Sequence, residues 1–216
     1  VFGLQINESD FSADGAEAFS PPAETRSQAV FVSEHIHGER LHYEFGARLE
    51  AQQVEADNAG KNDYDDLALS LALGLIWELG DRQSLALSLQ RSERHPSDVE
   101  LFADGPHLAT SQYEIGDPGL AKETAYGVDL SYRSTGPKWN RSLTLFYTRF
   151  EDYIFADESG EMLEDLPVYR FSAVDAQFYG FEAELDYLLH QAGDTSLWLG
   201  LIADYVHAEN LDDDES

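Results

Sequence analysis

Apolar and polar residues alternate strictly along this chain, in run after run. From 41 to 51 the odd positions are Leu41, Tyr43, Phe45, Ala47, Leu49 and Ala51, against His42, Glu44, Gly46, Arg48 and Glu50. From 67 to 79 they are Leu67, Leu69, Leu71, Leu73, Leu75, Trp77 and Leu79, against Ala68, Ser70, Ala72, Gly74, Ile76 and Glu78. From 179 to 187, Tyr179, Phe181, Ala183, Leu185 and Tyr187 oppose Gly180, Glu182, Glu184 and Asp186. A period of two makes a strand with one greasy and one wet face. The thirteen residues from Leu67 to Leu79 are long for a strand in a soluble sheet.

Similar runs cover about residues 28–36, 84–93, 123–133, 139–155 and 196–207, with a remnant at 1–6. The connections alternate in length. Tight turns fall near 37–40, 80–83, 134–138 and 190–194, and long loops near 7–27, 55–66, 95–121 and 156–169. Short turns on one rim and long loops on the other mark an outer-membrane β-barrel, with the short rim periplasmic. The expected fold is all-β: an antiparallel meander of about eight to nine long strands.

Mean hydropathy is low, at -0.39, because lumen positions dilute the lipid-facing ones. No run approaches the roughly 18 apolar residues of a membrane helix. Aromatic residues (Trp77, Tyr132, Trp139, Tyr187, Trp198 and Tyr205) gather toward strand ends, as at a membrane interface. An acidic soluble β-sandwich with an aromatic core is the competing fold.

The net charge of -29 excludes nucleic acid as a natural partner and favours cations. The charge is uneven. The four long connections and residues 209–216 hold five Asp or Glu each, offset only by Arg26 and Lys61. The long-loop rim is thus expected to be an anionic mouth. With no Cys, thiolate metal sites and disulfides are out. The chain starts at Val1 without a signal-like segment and ends on the acidic run 210–216, so an internal piece of a longer barrel is expected.

Residues 94–102, Arg94-His95-Pro96-Ser97-Asp98-Val99-Glu100-Leu101-Phe102, resemble the Arg-x-Pro…Glu-Leu-aromatic signature of a TonB-dependent receptor strand entering an extracellular loop. Residues 116–123, Gly116-Asp117-Pro118-Gly119-Leu120-Ala121-Lys122-Glu123, resemble the element that leads into the next strand. Within the loop, Gly105-Pro106-His107-Leu108-Ala109-Thr110 is similar to a segment of the zinc-receptor subgroup. Asp175-Ala176-Gln177-Phe178-Tyr179-Gly180-Phe181-Glu182 and Gly15-Ala16-Glu17-Ala18-Phe19-Ser20-Pro21-Pro22 match that subgroup too. The resemblance implies a 22-stranded transmembrane barrel with an N-terminal plug, driven by TonB, that imports a scarce ligand. Residues 1–216 would be an incomplete portion of it, without the plug or the final strands. Alone they should form a curled open sheet with costly free edges.

Without thiolates, zinc takes imidazole nitrogen and carboxylate oxygen. The candidate ligands are His107 first, then His95, Glu100 and Glu114, all in the long loop. Imidazole must be neutral to ligate, so binding should weaken as pH falls toward the ordinary histidine value of about 6.5. His95, next to Pro96, has a competing role in orienting the loop, and Glu100 one in pairing with a basic residue near Arg94. His35, His37 and His190 sit by short turns, where histidines are usually inert. His42 with Glu44 reads as a lumen wall pair, and His207 stands beside the terminal acids.

No catalytic motif assembles, so no enzyme is expected. The expected function is active uptake of a metal ion, zinc first, with no resident cofactor. Partners would be TonB through the absent plug, the metal and outer-membrane lipid. The alternatives are a haem or siderophore receptor, and a passive or adhesive outer-membrane barrel.

Overall fold

A computed structural model describes residues 1–13, 15, 18–57 and 63–212. The long strands are β1 (Phe2–Phe11), β2 (Ala23–His37), β3 (Leu41–Ala56), β4 (Tyr64–Gly80) and β5 (Gln83–Arg94). A loop then carries helix α1 (Asp98–Phe102) and short strands β6 (Asp104–His107) and β7 (Gln112–Ile115). The long strands resume as β8 (Glu123–Thr135), β9 (Trp139–Leu163), β10 (Leu166–Ala192) and β11 (Thr195–Asn210). Each long strand pairs antiparallel with the next in chain order, so the expected meander forms. Among the described residues β1 and β11 do not pair, which leaves the sheet open.

Register converts alternation into two surfaces, because residues directly opposite across strands share a face. Phe45, Leu73, Leu89, Val128, Tyr147 and Tyr179 run in one row across six strands, and all are exposed. The next row on the opposite face reads Glu44, Gly74, Ser88 and Asp129. An exposed hydrocarbon band around a polar interior suits lipid outside and water inside. Near the short turns, Arg141 lies 5.0 Å over the Trp139 ring and 5.8 Å over Tyr132. This gives the interfacial aromatics there a charged partner.

The expected loop at 156–169 is not a loop. β9 and β10 run on through it and meet at the two-residue turn Glu164–Asp165, both at positive φ. The alternation that would have revealed this breaks at Asp152 (φ 56), where the β9 register slips by one residue against β10. A bulge flips the face on which later side chains fall. The remnant at 1–6 also extends, pairing with β2 as far as Phe11.

The main buried cluster lies above the band. Leu101 and Phe102 of α1 pack with Val54, Tyr64, Leu120 and Ile154, flanked by Ala56, Phe171 and Ala173. The loop between β5 and β8 therefore folds against the upper ends of β3, β4, β9 and β10. Apolar burial is concentrated where the candidate residues are.

Candidate functional site

The loop begins with a rigid brace. Ser97 caps α1 by accepting from the Glu100 N–H (3.2 Å), while Glu100 accepts from the Ser97 N–H (2.7 Å). This reciprocal box stabilises a helix too short to stand alone. Arg94 extends it, donating to Glu100 at 2.9 Å and to Glu123 at 3.0 Å. Glu123 also accepts the Ile154 N–H at 3.2 Å. Burial works against the Arg94 charge, but the bonds to Glu100 and Glu123 outweigh it and hold its pKa above the ordinary arginine value. One guanidinium thus ties both ends of the loop to its own two strands. Glu100 is engaged by Arg94 and Ser97, which makes it a brace.

His95 is 8% exposed, and its Nδ1 lies 2.9 Å from the Tyr64 hydroxyl. Its Nε2 is buried without a hydrogen-bond partner among the described residues. Burial, then the charges of Asp66 and Glu93, pushes the Tyr64 hydroxyl well above the usual phenol range, so it remains a neutral donor. His95 anchors the loop root on β4.

His107 and Glu114 lie on the β6–β7 hairpin, with His107 Nδ1 2.7 Å from Glu114 Oε1. A carboxylate only accepts, so Nδ1 carries the proton, and in the neutral imidazole the lone pair is then on Nε2. The Phe19 ring stacks on the imidazole, 4.2 Å between centroids and 10° from parallel. The Glu114 side chain is 9% exposed and that of His107 30%, so the acid orients the ring from beneath.

The hairpin is held at both sides. On one, Asp104 N–H donates to Phe19 O at 2.8 Å. On the other, β7 pairs parallel with β10 through Tyr113–Val168, Glu114–Tyr169 and Ile115–Arg170. Burial, then Asp104 and Glu164, raises the Tyr113 hydroxyl above its ordinary value. Phe19 stands four residues before β2, so the hairpin links the connection between β1 and β2 to β10.

The four sequence candidates are not gathered in one place. His107 and Glu114 meet on the hairpin, His95 sits at the loop root with Tyr64, and Glu100 belongs to the Arg94 brace. Among the described residues no three His, Asp or Glu side chains form a ready-made metal site. His42 bonds Glu78 (3.2 Å), and Glu44 bonds His35 (3.0 Å), so the expected His42–Glu44 wall pair is replaced by two cross-strand pairs. His207 lies opposite Tyr179 and contacts its ring, on the apolar face and not in the mouth. Asp213 and Asp214, expected beside it, fall outside the described residues, as do Ala16, Glu17 and Lys61. Sequence pattern alone does not mark Phe19, Tyr64 and Glu123 as site residues. The match at residues 15–22 was the one signal for Phe19.

Residues 3–216 match the family model described as "TonB dependent receptor-like, beta-barrel". Among solved structures, the chain is similar to the copper transporter OprC (TM-score 0.72, 20% identity, 88% of this chain, 30% of that one). It is also similar to the FrpB iron transporter from Neisseria meningitidis (TM-score 0.66, 13% identity, 96% of this chain, 32% of that one). The Serratia marcescens hemophore receptor HasR is a third (TM-score 0.68, 17% identity, 94% of this chain, 37% of that one). The chain thus spans about a third of the length of these structures.

Proposed function

The chain belongs to the family of TonB-dependent receptor-like β-barrels, and from that premise we propose that the whole protein actively imports a metal-bearing substrate, with zinc as the metal. Membership places it in the outer membrane, in a family of transporters and not of enzymes. Energy would come from TonB, acting through a plug domain outside this chain.

The observation that carries the reading is the His107–Glu114 pair on a hairpin at the mouth. Glu114 holds the proton on Nδ1 and turns Nε2 into a ligand, the usual arrangement of a metal-bound histidine with a carboxylate behind it. Glu114 then acts as the positioning residue and His107 as the ligand. Water or further loop carboxylates complete the shell. The acids of the rim raise the local concentration of cations, and they disfavour anionic iron complexes. The similar structures include a copper transporter and an iron transporter, compatible with a metal cargo.

Zinc binding to the full receptor tests this. His107→Ala should weaken Zn2+ affinity by ten- to a hundred-fold and slow growth on limiting zinc, while Glu114→Gln should give a smaller loss. Unchanged affinity and growth in His107→Ala would sink the zinc reading. Haem would use the same imidazole as an axial ligand. A Soret shift that depends on His107, with no zinc effect, would transfer the site to haem.

A further inference from the structure

At the rim opposite the mouth, three successive short turns share one pattern. They are Gly38-Glu39-Arg40 after β2, Gly80-Asp81-Arg82 after β4 and Gly136-Pro137-Lys138 after β8. In each, the carbonyl of the basic residue accepts an N–H from the strand beyond the hairpin: Arg40 O from Glu78 (2.7 Å), Arg82 O from Thr135 (2.9 Å) and Lys138 O from Leu188 (2.7 Å). The backbone is thus fixed at the rim while the side chains stay exposed. Arg141 alternates with Trp139, Leu143 and Leu145 along β9, so it points with them to the lipid face. It lies 5.0 Å over the Trp139 ring and 5.8 Å over Tyr132.

These four cations differ from the rest. Of the eight other Lys and Arg side chains among the described residues, seven form ion pairs with carboxylates. The eighth, Arg133, lies on the lumen face opposite Ser84 and Ser142. Arg40, Arg82, Lys138 and Arg141 have neither an ion pair nor a side-chain hydrogen bond among the described residues, although Glu39 and Asp81 adjoin two of them. The three turns and Arg141 carry four cations and two acids, so this rim is locally +2 in a chain of net charge -29. Cation–π attraction holds the Arg141 guanidinium beside the interfacial rings and leaves its N–H donors without an acceptor. At this level of the membrane the abundant anionic acceptor is the lipid phosphate, whose oxygens match the guanidinium fork.

We propose that Arg82, Lys138 and Arg141, with Tyr132 and Trp139, form a docking site for the headgroup of an anionic glycerophospholipid in the periplasmic leaflet. The cations take the phosphate, and the two rings lie along the glycerol and the first acyl carbons, where amphipathic aromatics settle. Arg40 extends the positive rim toward β3. The site rests on the outer-membrane location of the barrel and not on metal uptake.

The test uses the full-length receptor and lipids of defined headgroup. In detergent, native mass spectrometry should show phosphatidylglycerol retained roughly tenfold more strongly than phosphatidylethanolamine. Arg82→Gln, Lys138→Gln and Arg141→Gln should each lower that preference about fivefold, the effect of one cation at an anionic lipid surface. Excess inorganic phosphate should leave the lipid bound. In mixed vesicles, phosphatidylglycerol brominated on its acyl chains should quench Trp139 about twofold more than equally brominated phosphatidylethanolamine, read as the difference between the receptor and Trp139→Phe. Equal retention of the two lipids, equal quenching by them, or a preference that survives all three glutamine substitutions overturns the proposal. Displacement by inorganic phosphate would make this a free-anion site and overturn the lipid assignment.

Discussion

At the level of single residues, the mouth is governed by which atom each polar group leaves available. Glu114 takes one nitrogen of His107, and Phe19 covers one face of the ring, so the remaining nitrogen is presented in a fixed direction. Phe19 is held by its backbone: its carbonyl accepts from Asp104, and Gly105 passes so close that a Cβ there would lie 2.7 Å from Phe19 Cα and 3.0 Å from Ala18 O. Backbone cannot yield as a side-chain end would. Gly105→Ala should therefore part the two segments, lift Phe19 from His107 and weaken Zn2+ binding about tenfold, as loss of an orienting neighbour does. The barrel should keep its heat-modifiable gel mobility. Full zinc affinity in Gly105→Ala would show that Phe19 plays no part. His107 and Glu114 stood out in the sequence because their types match metal chemistry. Phe19, from a loop 88 residues earlier, did not, because stacking depends on a fold that brings distant loops together.

At the level of elements, the β9–β10 hairpin shows where pattern reading stops. Below the bulge at Asp152 one face meets lipid and the other the lumen, and alternation marks the strand. Above it the hairpin leaves the hydrocarbon, so its faces meet water or the folded loop, and nothing enforces a period of two. The tip is strained by its composition: Glu164 (φ 51) and Asp165 (φ 63) occupy a two-residue turn that favours Asn-Gly. A non-glycine residue there costs roughly 1 kcal/mol. Glu164→Asn with Asp165→Gly should stabilise the extension, visible as about tenfold slower amide exchange across residues 156–174, without change at the membrane-spanning rows. Unaltered exchange would mean that β7, clamped to β10 at Val168–Arg170, controls opening instead of the turn. α1, β6 and β7 were equally hidden, since each is shorter than the window over which a period can be recognised.

For the whole molecule, the solvent on each side of the sheet decides what the sequence can be. Lipid demands an apolar row, and lumen water accepts almost anything, which is why the barrel class was readable from alternation while the folded loop was not. Leu73 and Ser88 make the contrast measurable. Leu73 is 39% exposed in the middle of the apolar row, flanked by Phe45 and Leu89. Ser88 is on the opposite face, beside Gly74 and Asp129. An arginine on the lipid face near the bilayer midplane costs roughly 2–4 kcal/mol, because its charge must leave water. The same side chain in the lumen stays hydrated and gains carboxylate neighbours. Leu73→Arg should therefore lower the unfolding free energy of the full receptor, refolded into vesicles, by that amount. Ser88→Arg should change it by less than about 1 kcal/mol. A soluble sandwich makes a different forecast, with Leu73→Arg nearly neutral at an exposed position and Ser88→Arg disruptive between packed sheets. The sign of the difference between the two variants decides which solvent lies on which side.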